Sequence, residues 1–423
     1  MEGNKRSRGL SMNDFLFFAS LMLALIVIIG YVNEKWTKLT YEIALLLFSA
    51  VIGGIITLIL AGSGGLTVKE LLQTVQVFDL NKFLMKGVLC FMLFAGARNL
   101  KLYDFRKNAR SVSVLAFLCT LLGAGIYGLL FFALSLVLKL GFSLPMCLMF
   151  GSIIAPTDPI AATSILKKFG LPRKTGFLME AESLLNDGVG VALFVCFSGM
   201  VTAGESGSFV LLMCREILGA VLIGTAVSIV CLFLLFHTGD PQRKIFASLL
   251  SVSLSFFLCE LFDCSGAIAC VVNGVLFSTV RGRVNKDEEL KELDSFWESL
   301  DVLLNSVLYV ILGLSFVRIL QMPMVGVLSA AAIVINFAAR YISVLTGTAF
   351  MGTLPDGYKR GGFSLLFTWG GLRGGLSIAL AMSTRSFVPL NDYQVILGCA
   401  YAIVFFTTVI QGLTMKKIFS VCS

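Results

Sequence analysis

The sequence predicts an all-α polytopic membrane protein of about thirteen transmembrane helices, arranged as two inverted repeats around a pair of unwound helices. Three observations carry that expectation. Of 423 residues, 57% are hydrophobic and only 14% charged, with a mean hydropathy of +0.92, and a water-soluble domain of this size cannot hide so much apolar surface. Apolar runs of about 20 residues, the length that crosses a bilayer, recur between short polar loops. Two of those runs are interrupted in the middle by proline or glycine pairs, each with a charged residue at the break.

A polar, basic leader at residues 1–13 precedes the run Phe15 to Val32, which is too long and too poorly marked for cleavage to be a signal peptide. It is the first expected span. The others are 41–61, 83–98, 111–138, 144–168, 177–200, 209–236, 245–261, 264–280, 297–320, 325–351, 361–385 and 393–415. Barrel strands, about ten residues of alternating pattern, are not seen. The 41 glycines suit helices that pack closely.

Loop charge sets the orientation, because lysine and arginine stay on the cytoplasmic side. One set of alternate loops carries Lys101, Arg106, Lys107 and Arg110, then Lys167, Lys168, Arg173 and Lys174, then Arg243 and Lys244, then Arg281, Arg283, Lys286 and Lys291, then Lys359 and Arg360. The opposite set is nearly bare. The basic loops and the C-terminus are therefore expected in the cytoplasm, and an odd helix count puts the N-terminus outside, against the basic leader. The net charge of +8 is spread over these loops instead of forming a nucleic-acid stripe. Eight of the eleven cysteines fall inside apolar runs without ligand-type pairing and read as small hydrophobes. The single histidine, His237, falls in a loop. No cofactor is expected.

In GSIIAPTDPIAA two prolines flank Thr157 and Asp158, and each removes a helix hydrogen bond and clashes with the turn before it. In TWGGLRGGLSIAL two glycine pairs flank Arg373 and disfavour continuous helix. A long apolar helix precedes and follows each break. Three helices per unit is an odd number, so the second unit enters the membrane from the other side. Paired interrupted helices in inverted halves point to a transporter's binding site near the bilayer midplane.

Between the breaks, EAESLLNDGVGVALF places Glu182, Ser183, Asn186 and Asp187 in an apolar segment, where an ionised carboxylate is expensive without a partner. At about 100° per residue, Glu182 and Asn186 share one face and Ser183 and Asp187 the next. Two carboxylates in one site do not both stay charged cheaply, so one is expected to hold a cationic partner and the other to titrate. The chief intramembrane cations are Arg373 and Arg340. Arg373 is the expected partner of Glu182, which leaves Asp187 to alternate between proton and cation. Arg340 is expected to steady the carbonyl ends of the broken helices. Asp158 is expected at a helix N-terminal pole, Thr157 and Ser183 as oxygen donors to a hard cation, and Asn305 as a helix-packing amide. Gly188 and Gly190 would let the interrupted segments cross close by. The acidic run KDEELKELD reads as a solvated interfacial helix.

Together, APTDPIAATSIL, ESLLNDGVGVALF and GLRGGLSIALA, with FMLFAGA in the third span, resemble the monovalent cation:proton antiporters of the sodium/hydrogen exchanger family, NhaP type. The resemblance covers nearly the whole chain. It implies an antiporter fold in a multi-pass protein of the plasma (inner) membrane, and a homodimer whose core of crossed, unwound helices moves against a dimerisation domain. On that division, 1–110 and 201–324 supply mostly dimerisation and linker helices, and 111–200 and 325–423 the two halves of the core. The implied activity is exchange of a monovalent cation, sodium first with lithium or potassium as alternatives, for a proton, electroneutrally because asparagine stands at 186. The family's ion and proton carboxylate falls on Asp187, beside Asn186; its ion-site threonine and aspartate fall on Thr157 and Asp158, its supporting glutamate and serine on Glu182 and Ser183, and its glutamate-pairing arginine on Arg373. Ala181 stands where the family commonly has glycine. A cation channel would use similar ligands but needs a continuous pore, and an intramembrane aspartyl protease pairing Asp158 with Asp187 would leave the asparagine, arginine and glutamate without a role.

Overall fold

The computed structural model describes residues 12–63, 87–158, 160–203, 209–279, 287–320 and 325–422, and these are almost entirely helical. In chain order the helices are α1 (Met12–Val32), α2 (Tyr41–Ser63), α3 (Leu89–Arg98), α4 (Ala109–Leu138), α5 (Leu144–Ile154), α6 (Ile160–Lys168), α7 (Arg173–Ala203) and α8 (Phe209–Phe236). There follow α9 (Pro241–Leu261), α10 (Gly266–Phe277), α11 (Asp287–Leu320), α12 (Val325–Thr348), α13 (Arg360–Trp369), α14 (Gly375–Ser383) and α15 (Leu390–Cys422). The leader up to residue 11 and the basic cluster at 281–286 lie outside the described residues.

Among the described residues, nine helices are long and apolar enough to cross a membrane, and α3, α5 and α10 are shorter apolar helices. The expected thirteen counts short and broken elements as spans, whereas length alone supports nine. The twelve residues of α10 reach about 18 Å, short of the hydrocarbon thickness. One boundary differs more deeply. The acidic run is not a separate interfacial helix: it is continuous with the following span in the 34-residue α11. The eight cysteines expected inside apolar runs are all buried, and none of the eleven is in a disulfide.

Local chemistry explains several starts. Ser143 caps α5, its Oγ accepting from the Met146 amide at 3.4 Å, with proline in the first turn. Asp240 caps α9 from the Gln242 amide at 3.2 Å, and Ser265 caps α10 from Ile268 at 3.4 Å. Both interruptions are present, α5 ending at Ile154 before α6 begins at Ile160, and α13 ending at Trp369 before α14 begins at Gly375.

Close backbone approach needs small residues, and it is found where the broken helices pack. A Cβ on Gly151 of α5 would lie 2.1 Å from the Ala124 carbonyl oxygen of α4, and one on Gly190 of α7 would lie 2.3 Å from Pro156 Cγ. Gly190 therefore does what its position suggested. Gly188 does not: it faces Ile268 of α10 at 2.4 Å. Elsewhere, α11 packs along α2, with Gly313 against the Leu46 carbonyl. α12 packs on α4 and α15 around the second break.

Candidate functional site

The two breaks cross and are tied backbone to backbone. The Asp158 amide donates to the Leu372 carbonyl at 2.7 Å, an isolated antiparallel bridge. Each break then supplies the charge that the other's exposed helix pole calls for. Arg373, in the second break, donates from Nη1 to the carbonyls of Ala155 at 2.5 Å and Pro156 at 2.9 Å, just past the C-terminal end of α5. A guanidinium there opposes the negative pole of the helix dipole. Asp158, in the first break, abuts the start of α14: a Cβ on Gly374 would lie 3.1 Å from Asp158 Oδ2. That places a carboxylate at a positive pole, as expected. Its Oδ2 also accepts from the Tyr309 hydroxyl of α11 at 2.7 Å.

Arg373 is held further by Asn336 of α12, whose Oδ1 accepts from Nη2 at 2.9 Å, and its backbone amide donates to Thr407 Oγ1 at 3.0 Å. Thr407 opens a wide π turn in α15 that carries its hydroxyl to the break; such turns often mark functional positions.

The expected pairing of the arginines is reversed. Glu182 is paired with Arg340 of α12, not with Arg373: Arg340 Nη2 lies 2.8 Å from Glu182 Oε1 and 2.9 Å from Oε2. Both side chains are buried. Arg373, and not Arg340, steadies the carbonyl ends. The reason is geometric. Arg373 sits on the crossing itself and meets the bare carbonyls first, whereas Arg340 reaches across from an intact helix to α7.

The remaining residues of α7 reach the first break as their helical spacing requires. Asn186 Nδ2 donates to Thr157 Oγ1 at 2.8 Å and to Glu182 Oε1 at 3.0 Å, while its Oδ1 accepts from the Thr157 amide at 3.2 Å. Ser183 Oγ donates to the Thr157 carbonyl. Asn186 thus clamps the unwound segment to the Glu182–Arg340 pair. Asp187 stands apart. It makes no hydrogen bond or ion pair to a described residue, and it lines a cavity of about 640 Å³ together with Thr157, Asp158 and Ser183.

That cavity runs from the breaks to the end of the molecule bearing Arg98, Lys167, Glu180 and Glu298. Lys167 pairs with Glu180 at 2.8 Å near its mouth, and Arg98 pairs with Asp294. Sequence reasoning missed Asn336, Tyr309 and Thr407. A signal existed for Asn336, four residues before Arg340 and so on the same face of an apolar helix; Tyr309 and Thr407 carried none.

Crossed, interrupted helices beside a cavity-facing carboxylate define a helical membrane transporter of the broken-helix kind. The sodium/hydrogen exchanger transmembrane model matches residues 21–421. Over 420 residues the chain is 30% identical to the Na(+)/H(+) antiporter NhaP of Pseudomonas aeruginosa, covering 95% of each protein. It is 32% identical to the Na(+)/H(+) antiporter NhaH of Halobacillus aidingensis over 337 residues, 77% of this chain and 80% of that one. Its fold superposes on the sodium proton antiporter MjNhaP1 of Methanocaldococcus jannaschii with a TM-score of 0.74 at 17% identity, covering 97% of this chain and 99% of that one. The chain belongs to the sodium/hydrogen exchanger family.

Proposed function

We propose that the protein exchanges a monovalent cation for protons by alternating access, with the two ions competing for the carboxylate of Asp187. One observation carries this. Of the carboxylates at the crossing, Glu182 is neutralised by Arg340 and Asp158 accepts from Tyr309, while Asp187 faces the cavity with no hydrogen bond or ion pair to a described residue. Thr157, Ser183 and Asp158 line the same cavity and carry the oxygen ligands a hard cation takes. Sodium is the first substrate, with lithium or potassium as alternatives.

The charge count supports one proton for one cation. Asn186 cannot ionise, the Glu182 charge is cancelled in place, and Asp158 is held by Tyr309 at the start of α14, so Asp187 is taken as the group that changes state. A bare carboxylate is costly in the bilayer; the loaded forms cross, and the two fluxes are coupled. In this reading 111–200 and 325–423 form the moving core against a dimerisation domain in a homodimer of the plasma membrane. The C-terminus is cytoplasmic, and the cavity, whose mouth bears Arg98 and Lys167, opens on that side.

The test is a pH-gradient assay in proteoliposomes with sodium, lithium and potassium in turn. Asp187→Asn is expected to abolish exchange for every cation. Intact exchange in that variant would sink the assignment.

A further inference from the structure

We propose that Asp301 and Asn305 of α11 form a second, outer cation site on the cavity wall, a waiting position for the ion that Asp187 carries. The inference rests on the antiport reading above and adds a position to it. Asp301, Asn305 and Tyr309 follow one another at four-residue spacing, so they climb one side of α11. All but Tyr309 line the cavity, and Tyr309 ends the row on Asp158. From Asp301 to Tyr309 the helix rises about 12 Å. The row therefore leads from the cavity's outer part to the crossing.

Two other acidic groups along the cavity are already committed. Glu180 is paired with Lys167 and Asp294 with Arg98. Asp301 is not paired with a cation among the described residues. Its Oδ1 accepts from Asn305 Nδ2 at 3.1 Å, and no described residue donates to its Oδ2. The second, independent observation is Asn305 itself. Only 6% exposed, it spends its Nδ2 on the Asp301 carboxylate and carbonyl, and its Oδ1 is left with no hydrogen-bond partner. A buried amide oxygen without a donor is costly, and a cation held at the neighbouring carboxylate would satisfy it. Ser377 of α14, fully buried and lining the same cavity, likewise has an unpartnered Oγ. Carboxylate and amide oxygens are ligands for a hard, weakly bound monovalent cation. A waiting site also raises the local cation concentration in front of Asp187, as clefts of one charge sign do. The packing-amide role expected for Asn305 is thus only part of its part: it bonds within its own helix and faces the cavity.

Two measurements test this, each with sodium ions as the probe. In proteoliposomes loaded from the cavity side at low salt, Asp301→Asn is expected to raise the apparent KM for sodium about tenfold with kcat unchanged, and Asp301→Glu to restore it. An unchanged KM, or a fall in kcat alone, overturns the proposal. In titration calorimetry on purified protein, Asp187→Asn is expected to keep a sodium-specific binding heat that Asp187→Asn/Asp301→Asn loses. Should Asp187→Asn bind no sodium while the native protein does, the outer site is refuted and the antiport reading stands. Exchange persisting in Asp187→Asn would instead refute the antiport reading. Gel filtration and thermal unfolding of each variant separate loss of a site from loss of the fold.

Discussion

Removing either member of the Glu182–Arg340 pair is expected to destabilise the protein severely, and removing both is expected to recover much of the loss. One Arg340 nitrogen reaches both carboxylate oxygens, at 2.8 and 2.9 Å, with both side chains no more than 4% exposed. Breaking a buried pair of this kind costs about 3–5 kcal/mol because the surviving charge is stranded, whereas replacing both members with neutral groups is often close to neutral. Glu182→Gln and Arg340→Gln alone should each lose on that order. The Glu182→Gln/Arg340→Gln double variant should then lose no more than either single variant, a coupling energy of about 3–5 kcal/mol or more in a double-mutant cycle. The control is Glu182→Gln with Arg373→Gln. Arg373 spends its guanidinium on two carbonyls and Asn336, so coupling there should be clearly smaller than the coupling to Arg340. Reversible unfolding in detergent, followed by tryptophan fluorescence, supplies the four corners of each cycle. Stronger coupling of Glu182 to Arg373 than to Arg340 would refute the reasoning.

Further outcomes follow from the same geometry. Competition at one carboxylate predicts that the apparent KM for sodium rises about tenfold per pH unit on the acid side, while the rate falls again at alkaline pH as protons become scarce; a KM independent of pH would exclude competition. Gly374→Ala puts a Cβ 2.9 Å from Asp158 Cβ, so it should impair transport by displacing that carboxylate while thermal stability changes by less than about 2 kcal/mol. Tyr309→Phe removes a hydrogen bond to an ionised group, worth about 1.5–3 kcal/mol; sodium affinity should change by tenfold or more, measured by titration.

How far the site could be read from sequence depends on how local each signal is. Proline and glycine act on the chain at their own positions, so both breaks were legible, and so was the sharing of a face by Glu182 and Asn186, which the 3.0 Å bond between them bears out. The thirteen-span count was less secure, because hydropathy finds apolar runs whether or not a helix fills them, as the short α10 demonstrates. Partner choice was not legible at all. Glu182 and Arg340 are 158 residues apart, and which arginine meets which acceptor depends on where α12 sits around α7 and on which carbonyls the crossing leaves bare.

The reversal of the two arginines has a mechanistic consequence. Were Arg373 bound to Glu182, any movement of the crossed segments would strain the same ion pair that neutralises the site. As built, the neutralising pair joins two unbroken helices, α7 and α12, and the arginine at the crossing is anchored to carbonyls and an amide. Asn186 links the two systems by touching both Thr157 and Glu182. On the proposed reading, cation binding at Asp187 and Thr157 alters the break without uncovering a buried charge. Under that arrangement Asn186→Ala should loosen the coupling between cation and proton flux more than it lowers stability, because it cuts the link and leaves the Glu182–Arg340 pair and the Arg373 anchors in place. Measuring proton leak against sodium flux in the same vesicles decides it, and a tightly coupled Asn186→Ala would show that the link runs elsewhere.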